Sequence, residues 1–183
     1  AEFCGKTLAD ELAFGLSGYN PHFGMPINPK APKRLTGGSS SGSASATAAG
    51  VVDFALGTDT GGAIRVPASY CGLFGMRPSH GKVSLVGCAP LAPTFDTTGW
   101  LAEDKDVFVQ VSNILLKEDR TPISAPKPAI LSETLPHMDA GPLAVFRKAI
   151  ARLNEAWRPI EEVSLGEAGL DTWLKTFRDC QIK

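Results

Sequence analysis

A block of glycines and other small residues between positions 37 and 78 constrains the fold of this chain more than any other feature. It reads GGSSSGSASATAAGVVDFALGTDTGGAIRVPASYCGLFGMRP, so two glycine pairs flank a run of serine and alanine. Glycine permits positive φ and close backbone approach, and a proline-free run of Ala and Ser can form a helix that neighbouring backbone approaches closely. The block therefore predicts two tight turns joined by a small-residue helix over residues 41–52.

The composition is that of a globular protein. A chain of 183 residues can bury a core as one domain or as a large part of one. Its 18 basic and 19 acidic side chains nearly cancel, which argues against a nucleic-acid or membrane partner. No apolar run is long enough to span a bilayer, and the start AEFCGKT lacks the pattern of a signal peptide. We therefore expect a cytoplasmic protein, and the abrupt start suggests a fragment.

The four cysteines are far apart in the sequence and include no Cys-x-x-Cys pair. Closely spaced cysteines are typical of zinc sites, and disulfide frameworks belong to small secreted proteins. We therefore predict buried thiols at all four positions and expect no metal or organic cofactor; the positions are Cys4, Cys71, Cys88 and Cys180.

Apolar patterning predicts strands that alternate with helices. Residues 1–4 read as the end of a strand, residues 8–16 as an amphipathic helix, and residues 17–36 as a long loop that lines or covers a site. Asp104 is a predicted N-cap. Such alternation favours an α/β fold with a mixed sheet covered by helices. Further strands are predicted at 53–58, 73–76, 98–102, 128–132 and 160–165, and helices at 63–70, after Asp104, at 145–157 and at 170–177.

The composition changes beyond residue 118. We divide the chain into a first part over residues 1–118, a proline-bearing linker over residues 119–127, and a further α/β part of the same domain over residues 128–183.

The second glycine turn has the composition of an oxyanion site. Successive N–H groups in such a turn form a concavity that binds negative charge, as amide hydrolysis requires in its tetrahedral intermediate. The candidate donors are the N–H groups of Thr60, Gly61, Gly62 and Ala63. Two purely structural turns would need the same glycines, so composition alone leaves both interpretations open.

The order of the motifs separates these interpretations. G-G-S-S, a small-residue helix, G-T-D-T-G-G-x-I-R-x-P-A and C-G-x-x-G-x-R-P follow one another, and together they resemble the amidase signature family. Residues 10–29 and 95–100 (FDTTGW) extend the resemblance over about the first 116 residues, and PASYCGLFGMRPSHGKVS is similar to plant-type indole-acetamide amidases. The resemblance implies cleavage of a small-molecule amide by a Ser, cis-Ser, Lys triad.

The same resemblance assigns roles to individual residues. It implies that Ser39 is the cis-serine that relays protons, and that position 63 is the place of the nucleophile. It also implies that Asp59 and Arg65 form a buried pair that shapes the second turn. Ser40 is expected to cap the next helix or to bond to backbone. The supporting residues of the site are Gly38, Ser40, Thr58, Asp59 and Arg65.

Two departures from the family pattern bear on activity. Ala63 has no hydroxyl where family members have a serine, and the lysine expected on an upstream strand does not occur, because Lys6 and Lys33 lie too close to the first turn. Ala63 is either an engineered change that inactivates the enzyme or the native residue of a non-catalytic relative. The retention of the other motifs favours the engineered change.

Other motifs are weak. Residues 38–42 match G-x-S-x-G with Ser40 as the nucleophile, but that elbow must follow a buried strand, which Pro32 and Lys33 oppose. No nucleotide-binding P-loop occurs. We therefore predict an amidase that hydrolyses a small primary amide and is inactive with Ala63. The alternative is a non-catalytic module of the same fold, such as the docking domains of chloroplast import receptors.

Overall fold

The computed structural model describes residues 1–116, 127–156 and 159–181. The chain forms two compact units, Ala1–Asp119 and Arg120–Lys183. The predicted linker falls, apart from residue 127, outside the described residues. None of the described helices is long and apolar enough to cross a membrane.

The first unit is an antiparallel sheet covered by helices. Its strands are β1 (Phe54–Thr58), β2 (Phe74–Met76) and β3 (Thr98–Ala102), and β3 lies between the other two. Thr58 pairs with Thr98, and Met76 pairs with Trp100. The helices are α1 (Ser41–Ala48), α2 (Arg65–Cys71) and α3 (Lys105–Leu116).

Small residues bring the helices of this unit close to the sheet. A Cβ added at Gly57 would overlap the Ser40 hydroxyl, and one added at Gly75 would lie 2.5 Å from the Ala68 Cβ. Such spacing leaves room only for glycine at these positions on the sheet. The core is correspondingly formed by small side chains with a few larger ones, namely Ala44, Ala48, Ile64, Ala68, Cys71 and Leu101, with Leu73 against them.

The start of α3 confirms its predicted cap. Asp104 Oδ1 accepts hydrogen bonds from the N–H groups of Asp106 and Val107 at 2.8 and 2.9 Å. Phe108 packs against the rings of Phe74 and Trp100. The other apolar side chains of α3 are covered unequally, since Val111 is buried and Ile114 is 77% exposed.

The second unit contains a parallel pair of strands, β4 (Ala129–Leu131) and β5 (Glu161–Val163). A 3₁₀ helix follows β4, and the longer helices are α4 (Ala140–Ala156) and α5 (Gly169–Gln181). The α/β class is therefore confirmed. In the described residues, however, antiparallel and parallel pairing occur in separate sheets and not in one mixed sheet.

Two predicted elements near the N-terminus are wrong. Residues 1–4 form no strand and are exposed, and of the helix predicted over residues 8–16 a single 3₁₀ turn, Glu11–Ala13, is present. Leu12 and Ala13 have positive φ angles of 52° and 58°. The physical reason lies at Asp10, whose backbone and side chain bond to the first glycine turn and to Gly18 and leave the local helix unformed.

Candidate active site

The first glycine turn lies directly before α1. The predicted cis peptide bond is present between Gly38 and Ser39. Ser39 is buried, and its carbonyl oxygen accepts a hydrogen bond from the Asp10 N–H at 3.1 Å. The Ser40 hydroxyl makes no helix-capping bond; it donates to the Thr58 carbonyl oxygen at 3.4 Å. Of the two roles expected for Ser40, the structure thus contains the bond to backbone.

Asp10 contacts this turn and was not among the site residues predicted from the sequence. Its side chain is buried, and Oδ2 accepts the Gly18 N–H at 3.2 Å. Oδ1 has no hydrogen-bond partner in the described part of the chain. It lies so close to Gly38 that a Cβ added there would overlap it. The only sequence signal was the place of Asp10 at the start of the segment 10–29 that carries the resemblance.

The contact between Gly38 and Asp10 predicts a stability loss for Gly38→Ala. The added methyl would overlap the buried Asp10 carboxyl group, whose Oδ2 is held by the Gly18 N–H. Overpacking of this kind costs about 1–3 kcal/mol. We expect thermal unfolding of the full-length protein to show this loss, whereas Gly141→Ala, which adds its methyl to open space in α4, should leave stability nearly unchanged. Equal melting temperatures for the two variants would contradict the assigned contact.

The second turn is organised from inside by the carboxylate of Asp59. This side chain is fully buried and accepts hydrogen bonds from the N–H groups of Gly62, Ile64 and Arg65 at 2.7, 3.2 and 3.3 Å. The Arg65 guanidinium adds two more, from Nε to Oδ2 and from Nη2 to Oδ1, both at 3.0 Å. Arg65 is 53% exposed, so the predicted pair exists but only its acidic partner is buried.

These contacts determine the charge state of Asp59. Burial alone raises the pKa of a carboxyl group. Here the hydrogen bonds and positive charge of Arg65, with the N–H groups of Ile64 and Gly62, outweigh burial and lower the pKa of Asp59 below its usual value. Asp59 is therefore a structural anion at neutral pH.

Asp96 supports the same turn from the other side. Its Oδ1 accepts a hydrogen bond from the Thr60 hydroxyl at 2.5 Å, and its carboxylate also accepts the N–H groups of Leu91 and Ala92. Burial raises the pKa of Asp96, but these hydrogen bonds and the nearby charge of His80 lower it overall. Asp96 lies in the FDTTGW segment that carries the resemblance, but the sequence alone predicted no role for it.

The N–H groups of the second turn are not equivalent. That of Gly62 is donated to Asp59 and is therefore not available to a ligand in this arrangement. Those of Thr60, Gly61 and Ala63 donate to no group in the described part of the chain. Of the predicted oxyanion donors, these three are thus the ones left without an internal acceptor.

The two turns are joined by backbone. The Ser40 N–H donates to the Ala63 carbonyl oxygen at 3.2 Å, so position 63, which lies in the second turn, is also next to the first turn.

A cavity of about 210 Å³ lies beside the second turn. Its size suits a small ligand group rather than a large molecule. Its lining includes Thr58, Thr60, Cys88, Pro90, Leu91 and Asp96.

The prediction of four buried thiols is wrong for three of them. Cys71 is buried, and burial raises the pKa of its thiol, whereas Cys4, Cys88 and Cys180 are exposed. Of the four, Cys71 is the one that belongs to the buried core cluster of the first unit. Over the described ranges, no cluster of three or more His, Cys, Asp or Glu side chains is arranged to hold a metal ion.

Comparison with known proteins identifies the family of this chain. The family model described as Amidase matches residues 1–164, so the chain belongs to the amidase family. Amidase 1 of Arabidopsis thaliana is 52% identical over 129 residues, which are 70% of this chain and 30% of that protein. The predicted similarity to plant-type amidases is thereby confirmed. Translocon at the outer membrane of chloroplasts 64 of Pisum sativum is 58% identical over 113 residues, 62% of this chain and 19% of that protein.

Solved structures show the same fold. The native peptide amidase of Stenotrophomonas maltophilia superposes with a TM-score of 0.78 at 27% identity, covering 95% of this chain and 41% of that one. A crystal structure of an amidase gives a TM-score of 0.78 at 35% identity, covering 88% and 38%. The chain thus spans less than half of each structure and less than a third of both curated relatives.

Proposed function

We propose that the full-length protein has the site of an amidase that cleaves the C–N bond of a small primary amide, and that Ala63 leaves this site without its nucleophile. The single observation that carries the proposal is the second turn, in which Asp59 fixes the backbone while the N–H groups of Thr60, Gly61 and Ala63 stay unengaged. Thr60 and Ala63 are buried, and a buried backbone N–H that has no acceptor is rare unless a ligand binds it.

The proposed reaction proceeds through an acyl-enzyme. A serine hydroxyl at position 63 attacks the amide carbon, and negative charge develops on the carbonyl oxygen, which the unengaged N–H groups stabilise. The hydroxyl proton passes through Ser39 to the leaving nitrogen, which departs as ammonia. A lysine from the upstream part of the full-length protein serves as the base, and water then releases the carboxylate.

Ala63 stops this sequence at its first step. Its methyl group carries no lone pair and cannot attack the amide carbon. The remaining parts, namely the relay serine and the N–H donors, would still hold an amide without cleaving it.

A second candidate function is that of a non-catalytic docking module. It is favoured by Ala63 itself and by the 58% identity to a protein named as part of the chloroplast outer-membrane translocon. The predicted cytoplasmic location stays a prediction for the same reason, since other relatives are named as chloroplastic or mitochondrial outer envelope proteins.

The two candidates are separated by restoring the hydroxyl. Ammonia release is measured for the full-length protein with and without Ala63→Ser over a panel of primary amides. Turnover that depends on the substitution supports the amidase; a variant that folds, binds an amide and releases no ammonia supports the docking module.

A further inference from the structure

Arg77 contacts the second turn on the backbone side and has no part in the proposed reaction. It follows β2 directly, and its side chain is 21% exposed. We propose that Arg77 is a positioning residue that orients the N–H groups of Thr60 and Gly61 toward the bound amide. The inference rests on the proposed function, because it assigns a cause to the geometry of the oxyanion donors.

The guanidinium of Arg77 is bound to consecutive carbonyl groups of the turn. Its Nη1 donates to the carbonyl oxygens of Asp59 and Thr60, the latter at 3.3 Å. The Thr97 hydroxyl donates to the same Asp59 oxygen at 2.6 Å. Two adjacent peptide groups are therefore held by their oxygen atoms from one side.

Because the peptide group is planar, fixing the direction of its oxygen also fixes the direction of its N–H group. In a trans peptide the C=O and the N–H that follows it point in opposite directions. Holding the Asp59 and Thr60 oxygens on Arg77 therefore directs the N–H groups of Thr60 and Gly61 to the opposite side of the turn. Both are donors without an acceptor in the described residues, so the result is a pair of N–H groups presented together.

Arginine suits this position better than lysine would. Its planar guanidinium carries five donors in a fixed arrangement, whereas a lysine ammonium is a single flexible point. While Nη1 holds the turn, Nη2 donates to the Phe95 carbonyl oxygen at 2.9 Å, just before β3. Asp59 Oδ1, which also accepts a hydrogen bond from Arg65, lies 3.2 Å from Nη1 and adds an ionic contact to Arg77. Arg77 thereby fixes the turn against the segment leading into β3.

The test measures binding of phenylacetate, a carboxylate of the kind that amide hydrolysis releases. The unmodified full-length protein and its Arg77→Lys, Arg77→Met and Arg34→Met variants are titrated by NMR, with the Thr60 and Gly61 amide signals as reporters. We expect the unmodified protein and Arg34→Met, which changes an exposed arginine of the same unit, to bind equally. Arg77→Lys should bind about tenfold more weakly with smaller shifts of these two signals, and Arg77→Met should bind more weakly still.

A kinetic readout separates positioning from general destabilisation. In the presence of Ala63→Ser, Arg77→Lys should lower kcat by about 10²-fold with little change in KM, because oxyanion donors act in the transition state. If the unmodified protein binds phenylacetate and Arg77→Lys binds it equally well, the positioning role of Arg77 is overturned and the proposed site is not. Absence of carboxylate binding in the unmodified protein would instead overturn the proposed site, and the inference with it. If Arg77→Met does not fold, Arg77→Lys decides by itself.

Discussion

Ammonia release from a primary amide is expected to rise at least about 10³-fold when Ala63→Ser is introduced into the full-length protein. In well-studied triads, loss of the nucleophile lowers kcat by about 10⁶, so restoring the missing oxygen should return a large part of the rate. The expectation depends on the rest of the site being in place. Asp59 shapes the turn through contacts that do not involve the side chain of residue 63, so its N–H donors are present with alanine.

The matched controls lie in the first turn. Ser39→Ala added to Ala63→Ser should remove most of the gain, since it removes the proposed relay. Ser40→Ala, one residue further, should keep most of it, because the Ser40 hydroxyl bonds to the Thr58 backbone and takes no part in the proposed reaction. A gain that survives Ser39→Ala would show that Ser39 is not the relay. Continuous spectrophotometric detection of ammonia measures all four proteins.

The largest effect on stability is expected for Asp59→Ala. Removing this carboxylate leaves the partly buried Arg77 without its charged partner and several N–H groups of the turn without an acceptor. Breaking a buried pair by removing one partner costs about 3–5 kcal/mol, and because Arg65 is half exposed we expect a loss at the lower end of this range. Chemical denaturation of the full-length protein should show this loss. Asp53→Ala, at an exposed aspartate just before β1, should change stability little, and a similar small change for Asp59→Ala would refute the central role of its carboxylate.

The lowered pKa of Asp59 also predicts acid sensitivity. Because its pKa in the folded protein lies below the usual value of 3.8, Asp59 contributes stability above about pH 4, and this is lost as the pH falls through the folded pKa. Asp96 is lowered in the same direction and should act with it. Denaturant midpoints measured from pH 7 to pH 3 should therefore fall at the acid end. The fall should be smaller in Asp59→Asn, and an identical pH dependence would contradict the assignment.

Local sequence predicted the centre of the first unit well. The strand over residues 98–102 and the cap at Asp104 are as expected, and the small-residue helix and both glycine turns are present. These features depend on requirements that neighbouring residues satisfy among themselves. Positive φ favours glycine, close approach needs small side chains, and a helix start needs an acceptor for its first N–H groups.

The segment before the first turn was predicted poorly because its partners are distant in sequence. Residues 8–16 have the apolar spacing of a helix, but Asp10 is bound to Ser39, and Leu12 and Phe14 are exposed. The cysteines failed for a related reason, since burial depends on which segments the fold brings together. A pattern read along the chain contains no information on either point.

The sequence by itself determined the family, the α/β class and the identity of the residues in both turns, because these rest on an ordered set of motifs that can be read directly. Only the tertiary structure decided which N–H groups are free. Gly62 donates to Asp59, and the carbonyls of Asp59 and Thr60 are held by Arg77, which lies on the far side of α2 in the sequence. The direction of a peptide group depends on what binds its oxygen, and that partner is set by the packing of the whole unit.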